Sequence, residues 1–463
     1  MKNYAVVLAA GKGTRMRTEI PKCAYPLMKK PMIKYIVEAL ENSYEIKETL
    51  LVVGHKAEVF EEMLGKRVKY AYQQVQKGTG HAVKVALPLL EDENGNTLIT
   101  CGDMPLIDED IIKSIFDFHN QNKNDITVIS SYVYGENTYG KIIRSNDGKF
   151  LKIIEHKECN EEQKRIPEIN TGVYCVKTKV LKECLQEVEV TDLKECYLTD
   201  IIEVGNKKGY KIEAFASSSS MKFTGINDLY TLSVVEAYIR KEINKKHMLN
   251  GVHIITPDTV IISSEVEIEP GAEIYPNTFL TGKTHIGKDC VIGPNTEIEN
   301  SIIEEGTSVI HSLVKDSKIG ANTTIGPFTH IRNNTSLGDN MRVGNFVEIK
   351  NSIIDNGTKV SHLTYIGDTT CGKNVNWGCG TVTVNYDGKY KNRTTVGDDC
   401  FIGCNTNLIA PVSVGNNAFI AAGSTITDDV PAEAFSIARE RQVTKEDYAT
   451  RFPYYKKVHG EEK

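Results

Sequence analysis

The stretch Val6–Met16, VVLAAGKGTRM, carries an apolar run into a glycine-rich turn that holds Lys12 and Arg15. Glycines let backbone N–H groups close on an anion, and a helix starting after the turn would add partial positive charge. The loop therefore has the chemistry of a phosphate cradle. It matches neither common fingerprint. A Walker loop needs Gly, four residues, then Gly-Lys-Ser/Thr, and Val6 stands five places before Gly11. A dinucleotide loop needs GxGxxG, and Met16 occupies the third glycine position. Asp103, in CGDMPL, ends another apolar run, where a carboxylate either caps a turn or has a functional role. Far along the chain, His362 lies in SHLTYIGD, and Arg332 and Lys350 are cations among small and polar residues. A histidine exchanges its proton near neutral pH, so it suits general acid–base work; a lone histidine is also a common structural residue.

These groups need two kinds of scaffold. Up to about residue 225, the β-branched runs YAVVLAA, ETLLVVGH, NTLITCGD and DITVISSYV alternate with the helical stretches MIKYIVEALEN and GHAVKVALPLLED. Alternation of this kind predicts a mostly parallel sheet covered by helices, with ligands at the carboxyl ends of the strands. The loop after YAVVLAA and the CGD after NTLIT both fall there. From Asp228 to Asn250, Leu229, Leu232, Val235, Ile239 and Ile243 recur at helical spacing between charges, which predicts a linker helix opening at Asp228 and closing at Gly251.

Beyond that helix the period becomes six. Ile286, Ile292 and Ile298 form one series, Ile319 to Ile349 a second and Val396 to Ile426 a third, many followed by glycine. This is the hexapeptide β-helix pattern: three flat sides make one coil, with the aliphatic residue pointing inward. Residues 252–437 would build roughly ten coils. The register breaks between Trp377 and Arg393, which predicts a loop leaving the coil, and the residues past Ala438 form a polar, aromatic tail.

With 463 residues and a net charge of −6, the chain has room for two domains and no global basic field for nucleic acid or anionic lipid. No stretch approaches the ~20 apolar residues of a membrane span, and the first apolar run is too short for a signal sequence, so a cytoplasmic location is expected. The eleven cysteines include no CxxC pair, which favours reduced thiols over zinc ligands or disulfides.

The motifs LAAGKGTRM with Pro21-Lys22, QKGTGHA, CGDMPL, EHK, INTGVY and GIND resemble those of sugar nucleotidyltransferases. THIRNNTSLG, GNFVEIKNS, SHLTYIGD and NYDG narrow the likeness, nearly end to end, to the bacterial bifunctional N-acetylglucosamine-1-phosphate uridyltransferase / glucosamine-1-phosphate acetyltransferase family. The resemblance implies an α/β Rossmann-like nucleotidyltransferase domain at 1–227, a linker helix at 228–250, and a left-handed parallel β-helix with its tail at 251–463. It also implies a homotrimer, small-molecule partners only, Mg²⁺ at the uridyltransferase site, UTP as nucleotide donor and acetyl-CoA as acetyl donor.

By that resemblance Leu8, Ala9, Ala10 and Gly11 lie against the nucleotide, and Arg15 and Lys22 neutralise its phosphates. Gln73, Gly78 and Thr79 read the uracil, Asp103 and Asn227 hold Mg²⁺, and Gly140, Glu155 and Asn170 hold the sugar. In the second half His362 is the base, Arg332 and Lys350 clamp the sugar phosphate, and Tyr365, Asn376 and Lys391 contact the sugar. Asn385, Tyr386, Ala422 and Arg439 match coenzyme positions. Four residues depart from the family pattern: Cys101 stands for a tyrosine, Cys379 for an alanine, Cys404 for a serine, and Trp377 for an aliphatic residue expected either to shelter the coenzyme or to pack the loop. Two rival readings remain at this level: a monofunctional nucleotidyltransferase with a structural or regulatory β-helix, and a non-enzymatic trimeric scaffold.

Overall fold

The computed structural model describes residues 2–11, 13–189 and 195–460, so Lys12 lies outside it. Two compact units emerge, Met1–Tyr238 and Ile239–Lys463.

In the first unit the apolar runs become the strands β1 (Tyr4–Leu8), β2 (Glu48–Val53), β3 (Lys69–Tyr72), β4 (Asn96–Cys101) and β5 (Ile126–Tyr132). A hairpin, β6 (Lys141–Arg144) and β7 (Phe150–Ile154), precedes β8 (Glu168–Lys177) and β9 (Ile212–Ser217). The main sheet runs β9-β5-β8-β4-β1-β2-β3. All its neighbours are parallel except β8, which runs antiparallel to β4 and β5. β1 shows why its run is continuously apolar. Tyr4 and Val6 pack on one face and Ala5 and Val7 on the other, so helices cover both sides. The predicted helix MIKYIVEALEN forms at Met32–Asn42 and buries Met32, Ile33, Ile36, Val37 and Leu40.

One expectation fails at the glycine-rich loop. No α-helix follows it. A single 3₁₀ turn, Thr14–Met16, is bracketed by Gly13 at φ 62° and Arg17 at φ 50°. Left-handed residues at both ends stop the helical hydrogen-bond ladder, so no helix terminus adds charge there, and side chains must supply it. Gly13 also permits a close approach: a Cβ there would lie 2.5 Å from Cβ of Lys22.

His119, on the helix Glu109–Gln121, is 1% exposed, with Nδ1 2.9 Å from Oγ1 of Thr127. Burial, then the Lys177 charge, pushes its pKa down to about 4. An unfolded histidine takes its proton near pH 6.5, so between 6.5 and 4 the unfolded state binds more protons and stability falls as the pH is lowered. The expected loss on going from pH 7 to 4.5 is about 2 kcal/mol. In urea unfolding curves at the two pH values, His119→Gln should remove most of that difference.

The linker helix spans Leu229–Leu249. Asp228 accepts from the Thr231 amide at 2.7 Å, and Gly251 sits at φ 92°, as its start and stop signals predict. The second unit is a prism of two- and three-residue strands pairing in parallel register with the coil above and below, for example Ile268 with Ile286 and Ile274 with Ile292. The inward residues form one continuous core.

The gap in the six-residue series between Ile298 and Ile319 has a structural cause. Ile303, Val309 and Val314 fill it, all fully buried, because some sides contain five residues. There the coil shortens, and Leu313 pairs with Glu297, 16 residues back. Corners take left-handed backbone, mostly at asparagines such as Asn295, Asn322 and Asn405. Trp377 is 2% exposed and lies in the inward column between Val360 and Ile402. It fills the interior of the prism. The loop itself leaves the coil after Val384 and closes through a bridge between Tyr386 and Lys391.

Candidate functional site

Adjacent strands position the first cluster. Leu8 at the end of β1 faces Cys101 at the end of β4, and the Gly102 amide donates to the Leu8 carbonyl at 2.9 Å. Ala9 and Ala10 continue buried from β1, while Gly11 is exposed. Asp103 follows β4 and is 8% exposed. Its Oδ2 accepts from the Lys22 ammonium, which also donates to Oδ1 of Asn227 at 3.0 Å. The same Asn227 oxygen accepts from Arg15 at 2.9 Å. Burial works against the Lys22 charge, but the Asp103 carboxylate outweighs it and holds Lys22 above its ordinary range. Oδ1 of Asp103 is buried with no hydrogen-bond partner. Two cations and two oxygen-bearing side chains, drawn from three distant parts of the chain, thus converge on one point.

Two further groups of predicted residues adjoin this edge of the sheet. Gln73 is buried after β3 and donates to the Gly78 carbonyl at 3.2 Å; its Nε2 also lies 3.0 Å from Nδ1 of His81. Gly78, at φ 109°, starts the helix Thr79–Ala86, and a Cβ there would strike the Cys196 carbonyl at 2.3 Å. Thr79 accepts from the Leu198 amide at 3.0 Å. Gln76 ties this segment to the glycine-rich loop by donating to the Ala10 carbonyl at 3.3 Å. The Gly140 carbonyl accepts from the Asn170 amide at 2.8 Å, and the Asn170 side chain donates to the Tyr174 hydroxyl at 2.8 Å. Glu155 accepts from Thr199 at 3.0 Å. Burial raises the Glu155 pKa, with the Thr199 bond opposing. His81, Thr199 and Gln76 were not singled out from sequence. His81 and Gln76 fall inside the quoted QKGTGHA, whereas Thr199 lies 44 residues from its partner with no local signal.

In the second unit the predicted residues form two groups. The first is a column at one corner of successive coils: Asn345, His362, Cys379, Cys404 and Ala422. Asn345 pairs directly with His362. The later steps follow from the register on either side of the corner. Nδ1 of His362 lies 3.1 Å from Oδ1 of Asn345, which fixes Nδ1 as the protonated nitrogen and leaves Nε2 to take a proton. Asn345 escaped the sequence reading; its signal is a step of one coil, 17 residues, before the histidine.

The second group is polar and more enclosed. Lys350 is 8% exposed. Its contact with the Lys391 amine, then burial, holds its pKa below the ordinary range, while Asp368 opposes. Asp368 accepts from Asn385 and Asn351, and Asn385 also donates to the Tyr365 hydroxyl at 3.4 Å. Arg332 forks onto Glu348 at 3.0 and 2.5 Å. Close-set lysines with a guanidinium nearby make an anion-holding pocket. Tyr386 is exposed on the inserted loop, and Arg439 lies in the exposed tail with its stem beside Gly423. Among the described residues, no side-chain bond joins Asn376 to either group; it stands on a strand beside Lys359 and Phe401. No cluster of three or more His, Cys, Asp or Glu able to hold a metal occurs among the described residues.

A MobA-like NTP transferase domain matches residues 5–146, a GMPPB C-terminal domain matches 256–354, and bacterial transferase hexapeptide repeats match 393–428. The bifunctional protein GlmU of Acholeplasma laidlawii is 50% identical over 450 residues, covering 97% of each chain. That of Geobacillus sp. is 47% identical over 452 residues, covering 97% of this chain and 98% of its own. That of Caldanaerobacter subterraneus subsp. tengcongensis is 49% identical over 445 residues, covering 96% and 97%.

Proposed function

The chain belongs to the GlmU family, and from that premise we propose how its two units divide the work of a bifunctional transferase. The enzyme makes UDP-N-acetylglucosamine. Acetyl passes from acetyl-CoA to the amine of glucosamine 1-phosphate, and UTP then gives its uridylyl group to N-acetylglucosamine 1-phosphate with release of pyrophosphate. We assign the second step to residues 1–227 and the first to 251–463, with the helix between as linker.

One observation carries the assignment: each unit has its own group of cations and one uncommitted acceptor, within that group in the first unit and on the strand paired with it in the second. In the first unit that acceptor is Oδ1 of Asp103; in the second it is Nε2 of His362. Asp103 and Asn227 would hold Mg²⁺. Both offer oxygen, which suits this cation, and the buried, unpartnered Asp103 oxygen supports the fit. When bound, Mg²⁺ supplies charge neutralisation on the triphosphate. Arg15 and Lys22 add theirs from the same edge of the sheet, so the sugar phosphate can approach the α-phosphorus without electrostatic penalty. Lys350, Lys391 and Arg332 would hold the phosphate of the aminosugar near His362.

Exposed, stacked phenylalanines on the prism, Phe401, Phe419 and Phe435 with centroids 4.5 and 5.7 Å apart, support a homotrimer as the working assembly. Among the described residues no helix is long and apolar enough to cross a membrane, and we place the enzyme in the cytoplasm. The test is a coupled assay with glucosamine 1-phosphate, acetyl-CoA, UTP and Mg²⁺, read as UDP-N-acetylglucosamine by chromatography, with each reagent omitted in turn. Full product only with all four supports both assignments. Product from N-acetylglucosamine 1-phosphate but never from glucosamine 1-phosphate would leave a monofunctional nucleotidyltransferase.

A further inference from the structure

Above His362 in the corner column stand two thiols. Trp377 faces Ile402 on one flank and Val382 faces Asn407 on the other, each 25 residues apart, which sets Cys379 opposite Cys404. The backbone agrees: the Gly378 amide donates to the Ile402 carbonyl at 2.8 Å, and the Cys379 carbonyl accepts from the Asn405 amide at 2.7 Å. Neighbouring strands lie about 4.8 Å apart. That spacing falls inside the Cα separation of about 4.4–6.8 Å that a disulfide spans. Eight of the eleven cysteines are buried. Cys404 is exposed and Cys379 half-buried, and the third cysteine within reach of solvent, Cys101, belongs to the other unit. The two thiols of the prism that solvent can reach are thus stacked on each other, and the imidazole of His362 is the next group below.

We propose that Cys379 and Cys404 are a reversible dithiol–disulfide pair that shuts down acetyl transfer when a hydroperoxide is present. The switching effect rests on the assignment of the His362 column to acetyl transfer; the pairing itself does not. One thiolate attacks a peroxide oxygen and the O–O bond breaks, leaving a sulfenic acid and, from hydrogen peroxide, one water. The second thiol attacks that sulfur, the S–S bond forms, and the hydroxyl leaves as a second water. Two thiols and one hydrogen peroxide thus give one disulfide and two waters. A small dithiol restores both cysteines by exchange, itself becoming a disulfide. A disulfide draws the two side chains together beside His362, where a thioester must lie for its carbonyl to meet the amine. Buried cysteines in the same prism, such as Cys371 and Cys400, lack the access that this chemistry requires.

The experiment treats the full-length protein with hydrogen peroxide, then assays both activities and maps peptides by mass spectrometry. The expected result is a Cys379–Cys404 cross-linked peptide lighter by two hydrogens. Acetyl transfer should fall at least tenfold and recover with dithiothreitol, while uridylyl transfer stays within twofold. Cys379→Ala and Cys404→Ser, each normalised to its own reduced activity, should lose less than twofold. Absence of the cross-linked peptide, or equal peroxide sensitivity in both variants, overturns the pair. A cross-linked peptide with acetyl transfer unchanged overturns the switch. No acetyl transfer in reduced wild-type protein overturns the assignment of the column instead, and the peptide map still decides the pairing.

Discussion

Asp103→Asn should lower uridylyl transfer on the order of 10²–10³-fold while leaving acetyl transfer within twofold. The substitution is nearly isosteric and keeps one oxygen on the same atom, so the strand end and the bond from the Ile226 amide to the Asp103 carbonyl survive. What goes is the negative charge. Asp103 is the carboxylate that the structure sets against Lys22, beside Asn227 and Arg15, and a neutral amide holds a hard divalent cation far more weakly. Lys22 also loses the partner that holds its charge. Lys22 donates to Oδ2 of Asp103 and to Oδ1 of Asn227, while Oδ1 of Asp103 has no partner. Loss of the carboxylate thus strikes metal binding and phosphate neutralisation together. The check is initial rates of pyrophosphate release across Mg²⁺ concentrations, with Mn²⁺ titration followed by electron paramagnetic resonance to read metal binding without turnover. Unchanged Mn²⁺ affinity would remove Asp103 from the metal site. A matching fall in acetyl transfer would point to damage to the fold.

The two units differed in how plainly their sequences could be read, for physical reasons. A strand buried on both faces must be apolar at every position, so β1 was visible as a run; a prism side must place one aliphatic residue inward per repeat, so the six-residue period was visible as well. Where a side shortens to five residues, as at Ile303 and Val314, the inward column continues in space while the period breaks in sequence. The conformation at Gly13 was harder to foresee. Glycine permits the left-handed region without revealing that Arg17 will join it, and the pair reduces an expected helix to one 3₁₀ turn. Trp377 opens the aperiodic stretch, which tied it to the loop or the coenzyme, yet it occupies the inward place of its coil. Lys12 and Arg15 suggested anion chemistry from residue type in a glycine-rich loop, while Lys22 came from the family resemblance. The convergence of Arg15, Lys22 and Asp103 on Asn227 depends on the sheet bringing residues 15, 22, 103 and 227 to one edge, which no local pattern records. Asn345 becomes legible only once the coil length is known.

His362→Ala should reduce acetyl transfer by about 10²–10⁴-fold and leave uridylyl transfer untouched. The amine of the aminosugar is protonated in neutral solution; it sheds one proton to solvent to become a nucleophile and must lose a second as it bonds to the thioester carbon. Nε2 of His362 is placed to take that second proton, because Asn345 holds the proton on Nδ1. As the C–N bond forms, the C–S bond breaks, and the coenzyme thiolate leaves and can recover the proton from the imidazolium. The loss should therefore fall on kcat. In the proposed site the sugar phosphate is held by Lys350, Lys391 and Arg332; Lys350 contacts Lys391 and Arg332 bonds to Glu348, neither to the histidine, so KM for glucosamine 1-phosphate should change little. His362 is an exposed corner residue outside the inward column, so its removal costs the core nothing. Asn345→Ala separates the base from its holder: the imidazole remains but either tautomer becomes available, and the fall should be smaller than for His362→Ala and again on kcat. Steady-state rates from thiol release, at saturating and limiting sugar phosphate, make the distinction. A rise in KM at constant kcat would recast His362 as a binding residue, and acetyl transfer within threefold of wild type in His362→Ala would require another base in the prism.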